Sequence, residues 1–254
     1  MNQFEPPIHW NDHEDIAQKL YEKFGDDFTE SKIYRVRFTD LLEWVLTLPH
    51  FEGKKEESNE GHLEMIQSAW VYEWRDNQKK IIPLLTALEK IKCFVFDVDG
   101  VLTNGTLIVM PNGVMVRTMN IKDGYAIQLA IKKGYKVWVI SGGYSEEVQD
   151  RLEKLGVEQV NMKVKDKKVL LETLSMTESV PLEEILYMGD DMPDYEAMQV
   201  VGIAACPADA CFDIKNIASY KAIAKGGEGC AREVIEKVLK LNGHWDVEDH
   251  IQAK

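Results

Sequence analysis

The feature that most constrains the fold is the alternation of short apolar runs with helical runs after residue 90. Each apolar run is rich in β-branched and aromatic residues, which is typical of a strand buried on both faces. Because helical stretches separate these runs, the pattern predicts βαβ units and a doubly wound, Rossmann-like parallel sheet with helices on both faces. The predicted strands are 93–96, 136–140, 185–188 and 202–205, and the predicted helices are 125–133, 145–155, 167–174 and 194–198.

A β-hairpin is predicted directly after the first strand. Residues 107–110 and 114–119 are largely apolar and flank the triplet Pro111-Asn112-Gly113. Proline, asparagine and glycine each favour a tight turn, for different conformational reasons. The α/β unit is therefore expected to carry a hairpin as an insertion after its first strand.

The first third of the chain has a different character. Its apolar residues follow helical spacing, with helix starts predicted at Asp12, Thr39 and Ser58. A further helix over 81–90, with Pro83 in its first turn, would connect this helical unit to the sheet. The predicted organisation is a helical domain at 1–78, a linker helix at 79–90, an α/β domain at 91–243 and a tail at 244–254.

The overall charge excludes several kinds of partner. A formal net charge of −13 argues against non-specific binding to nucleic acid or to an anionic membrane surface.

No apolar run approaches the ~18 residues that a membrane span needs. The first residues lack the basic-then-apolar order of a secretory signal, and the few cysteines lack a CxxC pair, so a cytoplasmic protein with reduced thiols is expected.

Polar residues that suit one site follow several of the predicted strands and begin one helix. Ligands in doubly wound sheets bind beyond the carboxyl ends of the strands, so these side chains are expected to converge. Clustered carboxylates suit Mg²⁺, and a carboxylate with a second carboxylate nearby can form and hydrolyse an acyl phosphate. A hydroxyl and a lysine would hold the phosphoryl oxygens. The residues are Asp97, Asp99, Ser141, Gly142, Lys167, Asp190, Asp191 and Asp194.

The order and spacing of these residues resemble the haloacid dehalogenase superfamily of phosphatases. The matching segments are Asp97-Val98-Asp99-Gly100-Val101-Leu102-Thr103, Ser141, Lys167 and Gly189-Asp190-Asp191-Met192-Pro193-Asp194. The resemblance implies that Asp97 is the nucleophile and Asp99 the acid/base, with Ser141 and Lys167 completing the catalytic set. It also implies a Mg²⁺ site made by Asp97, the Asp99 carbonyl and Asp190, supported by Asp191 and Asp194.

Residues 91–242 further resemble the capless branch that contains 3-deoxy-D-manno-octulosonate 8-phosphate phosphatases. This likeness lies in the segments 120–130, 207–211 and 226–234. It implies a sheet without a large cap, a sugar-acid phosphate substrate from lipopolysaccharide biosynthesis, and a homotetramer whose segments 105–120 and 226–232 close a neighbour's site. The substrate-binding residues that it implies are Gly142, Lys122, Asp123 and Arg232.

Several alternatives stay open at this level. Gly143, Lys163 and Glu228 depart from the residues common in that branch, which leaves acylneuraminate 9-phosphate as a second substrate. Arg232 could instead pair with a carboxylate on its own helix, and Lys167 belongs to a lysine-rich run. Phosphoryl transfer to an acceptor other than water, or a scaffold role without catalysis, is also compatible with the sequence.

Residues 8–74 resemble the IscX/YfhJ family of iron–sulfur assembly adaptors. The likeness rests on segments around Trp10, Val36-Arg37-Phe38-Thr39-Asp40, Trp44, Ser58-Asn59-Glu60 and Trp70. It implies a small modified winged-helix fold that contacts a cysteine desulfurase and binds Fe²⁺ weakly through surface carboxylates. The run His50-Phe51-Glu52-Gly53-Lys54-Lys55 replaces the family's usual acidic run, so a docking module without iron remains an alternative.

Overall fold

The computed structural model describes residues 6–111 and 113–245. The chain divides into two compact units, Met1–Pro83 and Leu84–Lys254. Asn112, in the predicted hairpin turn, and residues 246–254 of the predicted tail lie outside the described residues.

The first unit is helical. An isolated bridge joins Ile8 to Phe51, and the core packs around aromatic side chains, with Trp70 fully buried against Phe24, Phe28 and Trp44. Rings of this size bury a large apolar area, which lets a short sequence form a core. The helices are α1 (His13–Phe24), α2 (Glu30–Ile33), α3 (Phe38–Leu46) and α4 (Glu60–Glu89).

Helix α4 differs from the sequence prediction. The sequence predicts separate helices before and after residue 78, whereas the structure has one helix of 30 residues with Pro83 inside it. Proline removes one backbone donor and usually bends or ends a helix. The residues before it, from Gln78 to Ile82, include no glycine and have good helix propensity, so the helix continues through the proline.

The second unit is built on a parallel sheet. Within the described residues six strands pair in the order β5-β4-β1-β6-β7-β8, and every pairing is parallel. The strands are β1 (Cys93–Phe96), β4 (Lys136–Ile140), β5 (Gln159–Asn161), β6 (Ile185–Met188), β7 (Ile203–Cys206) and β8 (Tyr220–Lys221). The helices are α5 (Ile121–Lys132), α6 (Glu146–Lys154), α7 (Lys167–Thr177), α8 (Tyr195–Met198), α9 (Phe212–Ile217) and α10 (Cys230–Leu241).

The predicted α/β class and hairpin insertion are confirmed. Strands β2 (Ile108–Val109) and β3 (Met115–Val116) form an antiparallel pair between β1 and α5, and both are exposed. The sequence analysis missed β5 and β8, which lie at the two edges of the sheet and are two or three residues long. Such short, half-buried strands carry too little apolar patterning to be recognised.

The strands bury side chains on both faces, as the sequence predicts for a parallel sheet. Phe94 and Phe96 pack in one apolar layer, while Cys93 and Val95 pack in the layer on the opposite face. None of the helices in the described part of the chain is long and apolar enough to cross a membrane. The central position of β1, between β4 and β6, places the ends of these three strands side by side.

Candidate active site

Three neighbouring strands end in the polar residues singled out from the sequence. Asp97 follows β1, Ser141 follows β4, and Asp190 follows β6 after one glycine. The register aligns the last residue of β1, Phe96, with Val139 in β4 and Met188 in β6. Because the strands are parallel, their carboxyl ends meet at one edge, and the side chains that follow them share that edge.

A buried lysine joins two of the carboxylates. Lys167, the first residue of α7, lies with its Nζ 2.9 Å from Asp97 Oδ2 and 2.7 Å from Asp194 Oδ1. All three residues are buried, with Asp194 fully inaccessible. Burial alone would lower the pKa of Lys167, but the charges of Asp97 and Asp194 outweigh it and raise that pKa. The lysine therefore stays protonated at the centre of the site.

Tyr187 is a second donor to Asp194. This residue lies in β6, is fully buried, and donates a hydrogen bond from its hydroxyl to Asp194 Oδ1 over 2.7 Å. The other oxygen, Asp194 Oδ2, accepts the backbone N–H of Asp190 over 3.3 Å. Burial and the charge of Asp194 raise the pKa of Tyr187, so its hydroxyl keeps its proton and remains a donor. Asp194 is thus fixed by contacts within the protein.

The carboxylates form a cluster that suits a divalent cation. Asp97, Asp190 and Asp194 each place one oxygen within 4.8 Å of the other two. Burial raises the pKa of Asp97 to about 7, and the charge of Asp194 adds to this effect. Burial, followed by the charges of Asp194 and Asp191, likewise raises the pKa of Asp190 to about 7. Three carboxylates against one lysine leave excess negative charge, and an all-oxygen donor set favours Mg²⁺ over softer metals.

Gly100 brings the turn after β1 against Asp190. Its φ of +91° lies in the left-handed region, which side chains other than glycine rarely adopt. A Cβ atom at this position would lie 1.9 Å from Asp190 Oδ2. Glycine at residue 100 therefore allows the carboxylate of Asp190 to approach the backbone that follows Asp97.

Asp99 is paired with an arginine from the hairpin segment. Arg117 Nε lies 2.7 Å from Asp99 Oδ1, and Arg117 Nη2 lies 3.0 Å from Asp99 Oδ2. The arginine side chain is 7% exposed, whereas that of Asp99 is 35% exposed. Bidentate pairs of this kind fix the plane of the carboxylate as well as its position. The side chain of Asp99 is therefore oriented by the arginine that follows β3 and lies outside the carboxylate cluster defined above.

The end of β4 lies close to Asp99. Ser141 is buried, and its Oγ accepts the backbone N–H of Gly143 over 3.2 Å. A Cβ atom at Gly143 would lie 2.9 Å from Asp99 Oδ2 and 3.6 Å from Ser141 Oγ. The hydroxyl of Ser141 and the carboxylate of Asp99 thus both lie close to Gly143. Gly142, which lies between Ser141 and Gly143 in the sequence, is exposed.

The remaining residues singled out from the sequence lie outside the cluster. Asp191 is exposed, and its side chain accepts the N–H of Met192 over 2.8 Å, which caps the short turn that follows. Asp123 is buried and accepts the N–H of Arg232 over 2.7 Å. Arg232 lies with its Nε 3.2 Å from Glu236 on its own helix, the pairing that the sequence left open. Lys122 is exposed and lines a surface cleft together with Arg232.

Sequence reasoning did not single out Arg117 or Tyr187. Arg117 follows directly after apolar β3, so a lone arginine between apolar residues is the signal that could have drawn attention to it. Tyr187 is the polar residue in the buried run Ile-Leu-Tyr-Met, directly before Gly189 and Asp190. A tyrosine in a fully buried strand usually has a hydrogen-bond partner for its hydroxyl, and here the partner is Asp194.

Comparison with known proteins assigns each unit separately. Residues 8–75 match the family model described as iron–sulphur cluster assembly. This match covers the helical unit, in agreement with its resemblance to the IscX/YfhJ family, and it does not extend into the sheet.

The α/β unit is similar to phosphatases. It is 31% identical over 163 residues to 3-deoxy-D-manno-octulosonate 8-phosphate phosphatase of Salmonella typhi, covering 64% of this chain and 87% of that protein. The Haemophilus influenzae phosphatase of the same description is 32% identical over 166 residues, covering 65% of this chain and 92% of that protein.

A solved structure shows the same fold. The Moraxella catarrhalis 3-deoxy-D-manno-octulosonate 8-phosphate phosphatase, in complex with a magnesium ion, a phosphate ion and a KDO molecule, superposes with a TM-score of 0.61. Its sequence identity is 29%, and the alignment covers 62% of this chain and 91% of that one. Together with the strand-end geometry, these likenesses show that the chain belongs to the 3-deoxy-D-manno-octulosonate 8-phosphate phosphatase family of the haloacid dehalogenase superfamily.

Proposed function

We propose that this chain hydrolyses 3-deoxy-D-manno-octulosonate 8-phosphate to the free sugar acid and inorganic phosphate, as a step in lipopolysaccharide biosynthesis. The observation that carries the proposal is the buried Asp97–Lys167–Asp194 array with Asp190 beside it, at the centre of a sheet like that of the named phosphatases. The similarity to curated phosphatases covers most of their length, which supports the same reaction and substrate class in this chain.

In this proposal Asp97 is the nucleophile and Asp99 is the general acid and base. An oxygen of Asp97 attacks phosphorus, and Asp99 gives a proton to the sugar oxygen as its bond to phosphorus breaks. Asp99 then accepts a proton from a water molecule that attacks phosphorus, which releases phosphate and regenerates the Asp97 carboxylate. The distance of 2.9 Å from Lys167 to Asp97 puts a positive charge beside the phosphoryl group throughout. Ser141 and the backbone of Gly142 supply hydrogen-bond donors beside it.

The carboxylate cluster fits Mg²⁺ as the cofactor. Asp97 and Asp190 would hold the ion, as the family resemblance implies, while Asp194 accepts hydrogen bonds from Lys167, Tyr187 and the backbone of Asp190. When bound, the ion would neutralise the excess negative charge and polarise a phosphoryl oxygen. Asp194 then acts as the residue that positions Lys167.

A cleft beside Asp99 can receive the sugar acid. It has a volume of about 450 Å³, is lined by the hairpin and by α6, and contains the side chains of Arg117 and Arg151. Because Glu147 also lines the cleft and Arg117 is paired with Asp99, Arg151 is the guanidinium proposed to bind the carboxylate that a sugar acid carries at the end remote from its phosphate. The remaining lining residues include Val114, Met115, Val116, Met119 and Val148.

The proposal is tested by Mg²⁺-dependent phosphate release from a panel of sugar phosphates. We expect kcat/KM to be highest for 3-deoxy-D-manno-octulosonate 8-phosphate, with acylneuraminate 9-phosphate included as the alternative substrate. Faster turnover of the acylneuraminate would reassign the substrate. Phosphate release that lags behind substrate loss would indicate transfer to another acceptor. The likeness to phosphatases favours hydrolysis over a purely structural role.

We further propose that the chain assembles as a homotetramer through its hairpin. Side chains on both strands are exposed, with Ile108 at 54%, Val109 at 69% and Met115 at 50%. An exposed patch made of several neighbouring apolar residues is unusual on the surface of a monomer. Light scattering coupled to size-exclusion chromatography should give four chains per particle, and Val109→Asp with Met115→Asp should reduce that number.

The helical unit is proposed to bind a protein partner in the cytoplasm. A cleft of about 670 Å³ contains the exposed side chains of Met65 and Tyr72, surrounded by Glu14, Glu64, Glu73 and Asp76. Apolar groups ringed by carboxylates suit a basic partner, and the family resemblance points to a cysteine desulfurase. The four cysteines of the chain are unpaired, in keeping with a reducing compartment. Co-purification of the full chain with a cysteine desulfurase, weakened by Tyr72→Glu, tests this assignment.

A further inference from the structure

Two histidines from distant parts of the helical unit lie next to each other. His13 is the first residue of α1, and His62 lies in the first turn of α4. Their ring centroids are 6.0 Å apart, and the planes are tilted by 44°. Trp10 stacks on His62 at a centroid distance of 6.0 Å, and its Nε1 donates to Lys54 O over 2.7 Å. The ring of His62 is therefore held between the indole and the ring of His13.

Each of these rings buries one nitrogen that lacks a hydrogen-bond partner among the described residues. The atoms are His13 Nε2 and His62 Nδ1. A buried polar atom without a partner is uncommon in a folded protein and usually marks a water molecule or an ion. The two atoms belong to rings that are in contact with each other.

We propose that His13 and His62 bind one divalent transition-metal ion, such as Zn²⁺, through these two nitrogens. Metal–nitrogen bonds of about 2.0–2.1 Å to a tetrahedral ion place the centroids of two ligating imidazoles roughly 5 Å apart, so the two rings, which are 6.0 Å apart, would approach each other by about 1 Å on binding. Imidazole nitrogen suits Zn²⁺, Ni²⁺ and Cu²⁺, whereas Mg²⁺ prefers oxygen. Burial, followed by the charge of His62, lowers the pKa of His13, which keeps the lone pair of that ring available at neutral pH.

The charge around the pair also favours a cation. Both histidines lie at helix N-termini, whose dipoles would repel a positive ion. The carboxylate of Asp12 offsets this effect at His13, because its charge acts on that ring. Within the described residues, groups of three or more closely spaced potential ligands are confined to Asp97, Asp190 and Asp194. The protein therefore supplies two ligands to the proposed ion.

The test counts Zn²⁺ ions bound to the full chain after chelator treatment, by competition with a chromophoric chelator. We expect His13→Gln and His62→Gln each to bind one ion fewer than the natural chain, or to bind that ion at least about tenfold more weakly. His9→Gln is the matched control, because His9 is an exposed histidine in the same unit. This variant should bind as many ions as the natural chain.

A second measurement separates metal binding from folding. A metal held by both rings links the first turns of α1 and α4, so Zn²⁺ should raise the Tm of the natural chain more than that of either glutamine variant. Circular dichroism without metal checks that the variants fold. If the natural chain and the two glutamine variants bind equal numbers of ions with equal affinity, the proposal is wrong and the two nitrogens share only an ordered water. If the natural chain binds no Zn²⁺ that depends on these histidines, the proposal is also wrong, whatever the variants show.

Discussion

Arg117 Nε donates a hydrogen bond to Asp99 Oδ1 over 2.7 Å, and Arg117 Nη2 donates one to Asp99 Oδ2 over 3.0 Å. The carboxylate proposed to move protons is therefore held in one plane by an arginine that follows the hairpin. This arginine also lines the cleft proposed for the sugar acid. A single side chain thus joins the substrate cleft to the acid/base.

Replacing this arginine should impair proton transfer more than it impairs the fold. Arg117→Met frees the Asp99 side chain, and we expect kcat for the sugar phosphate to fall about 10- to 100-fold, within the range that general acids supply. The loss should be smaller for p-nitrophenyl phosphate, whose leaving group needs little protonation. Steady-state kinetics on both substrates measures the difference.

Arg37 provides the matched control for that variant. It also forms a bidentate pair, with Asp40, but its side chain is 79% exposed and lies in the helical unit. Arg37→Met should leave kcat unchanged, because exposed pairs contribute little. Equal losses on the two substrates in Arg117→Met would contradict the role assigned to Asp99 and Arg117.

The contact between Gly100 and Asp190 predicts a change in Mg²⁺ dependence. In Gly100→Ala the new methyl group would meet Asp190 Oδ2 at 1.9 Å, so the carboxylate must move. We expect at least a tenfold rise in the Mg²⁺ concentration that gives half-maximal activity, a magnitude typical of misplaced metal ligands. Gly134→Ala is the control, because Gly134 has a similar φ of +88° and a Cβ there would meet nothing within 4 Å. An equal Mg²⁺ requirement in the two variants would contradict the role assigned to Gly100.

Tyr187→Phe should weaken both the fold and the catalytic site. The change removes the hydroxyl that donates to Asp194 Oδ1 and leaves the ring in place. A hydrogen bond to a charged group contributes about 1.5–3 kcal/mol, so urea unfolding should show a loss of this size, together with a lower kcat. Tyr220 also donates its hydroxyl to a carboxylate, that of Glu233, but away from the carboxylate cluster. Tyr220→Phe should lower stability without lowering kcat, and a matching loss of kcat would contradict the positioning role of Tyr187.

The buried carboxyl of Asp123 predicts how stability depends on pH. Burial raises the pKa of Asp123 to about 6, above its value in the unfolded chain. A raised pKa means that the folded state favours the protonated form, so this residue stabilises the fold at low pH. That stabilisation is lost as the pH rises through about 6. A shift of this size corresponds to about 3 kcal/mol at most.

Asp123→Asn isolates this contribution. The amide cannot ionise and can still accept the N–H of Arg232, so the variant should become more stable relative to the natural chain as the pH rises from 4.5 to 7.5. Urea unfolding of both proteins across this range measures the difference. A constant difference would show that Asp123 does not titrate as its burial requires.

The centre of the sheet could be predicted from sequence because its strands are buried on both faces. The predicted ranges 93–96, 136–140 and 185–188 coincide with β1, β4 and β6, since continuous apolar runs between helical runs have few other solutions. The edge strands β5 and β8 could not be found, because half-buried edges lack that pattern. Pro83 suggested the start of a new helix, whereas in the structure α4 continues through this residue. The helix continues because neighbouring helix-forming residues offset the one hydrogen bond that proline removes.

The site shows a similar division. That Asp97, Ser141 and Asp190 would converge could be inferred from strand ends alone, because parallel strands place them at one edge, whereas Lys167 begins a helix. The pairing of Asp99 with Arg117 depends on how the hairpin folds back, and local patterns do not contain that information. Likewise, the sequence suggests Asp123 and Arg232 as substrate ligands, whereas in the structure Arg232 N–H binds Asp123 and its side chain pairs with Glu236. The contact between Asp123 and Arg232 is long-range and follows from tertiary packing, whereas the pairing of Arg232 with Glu236 is local and is one of the alternatives that the sequence left open.

The most direct test of the account is the rate of Mg²⁺-dependent phosphate release from 3-deoxy-D-manno-octulosonate 8-phosphate by the natural chain and by Asp97→Asn. Burial raises the pKa of Asp97 to about 7, so the neutral amide should be tolerated and the variant should fold. We expect Mg²⁺-dependent phosphate release by the natural chain and no measurable phosphate release by the folded variant. A folded Asp97→Asn protein that releases phosphate at the natural rate would contradict the account.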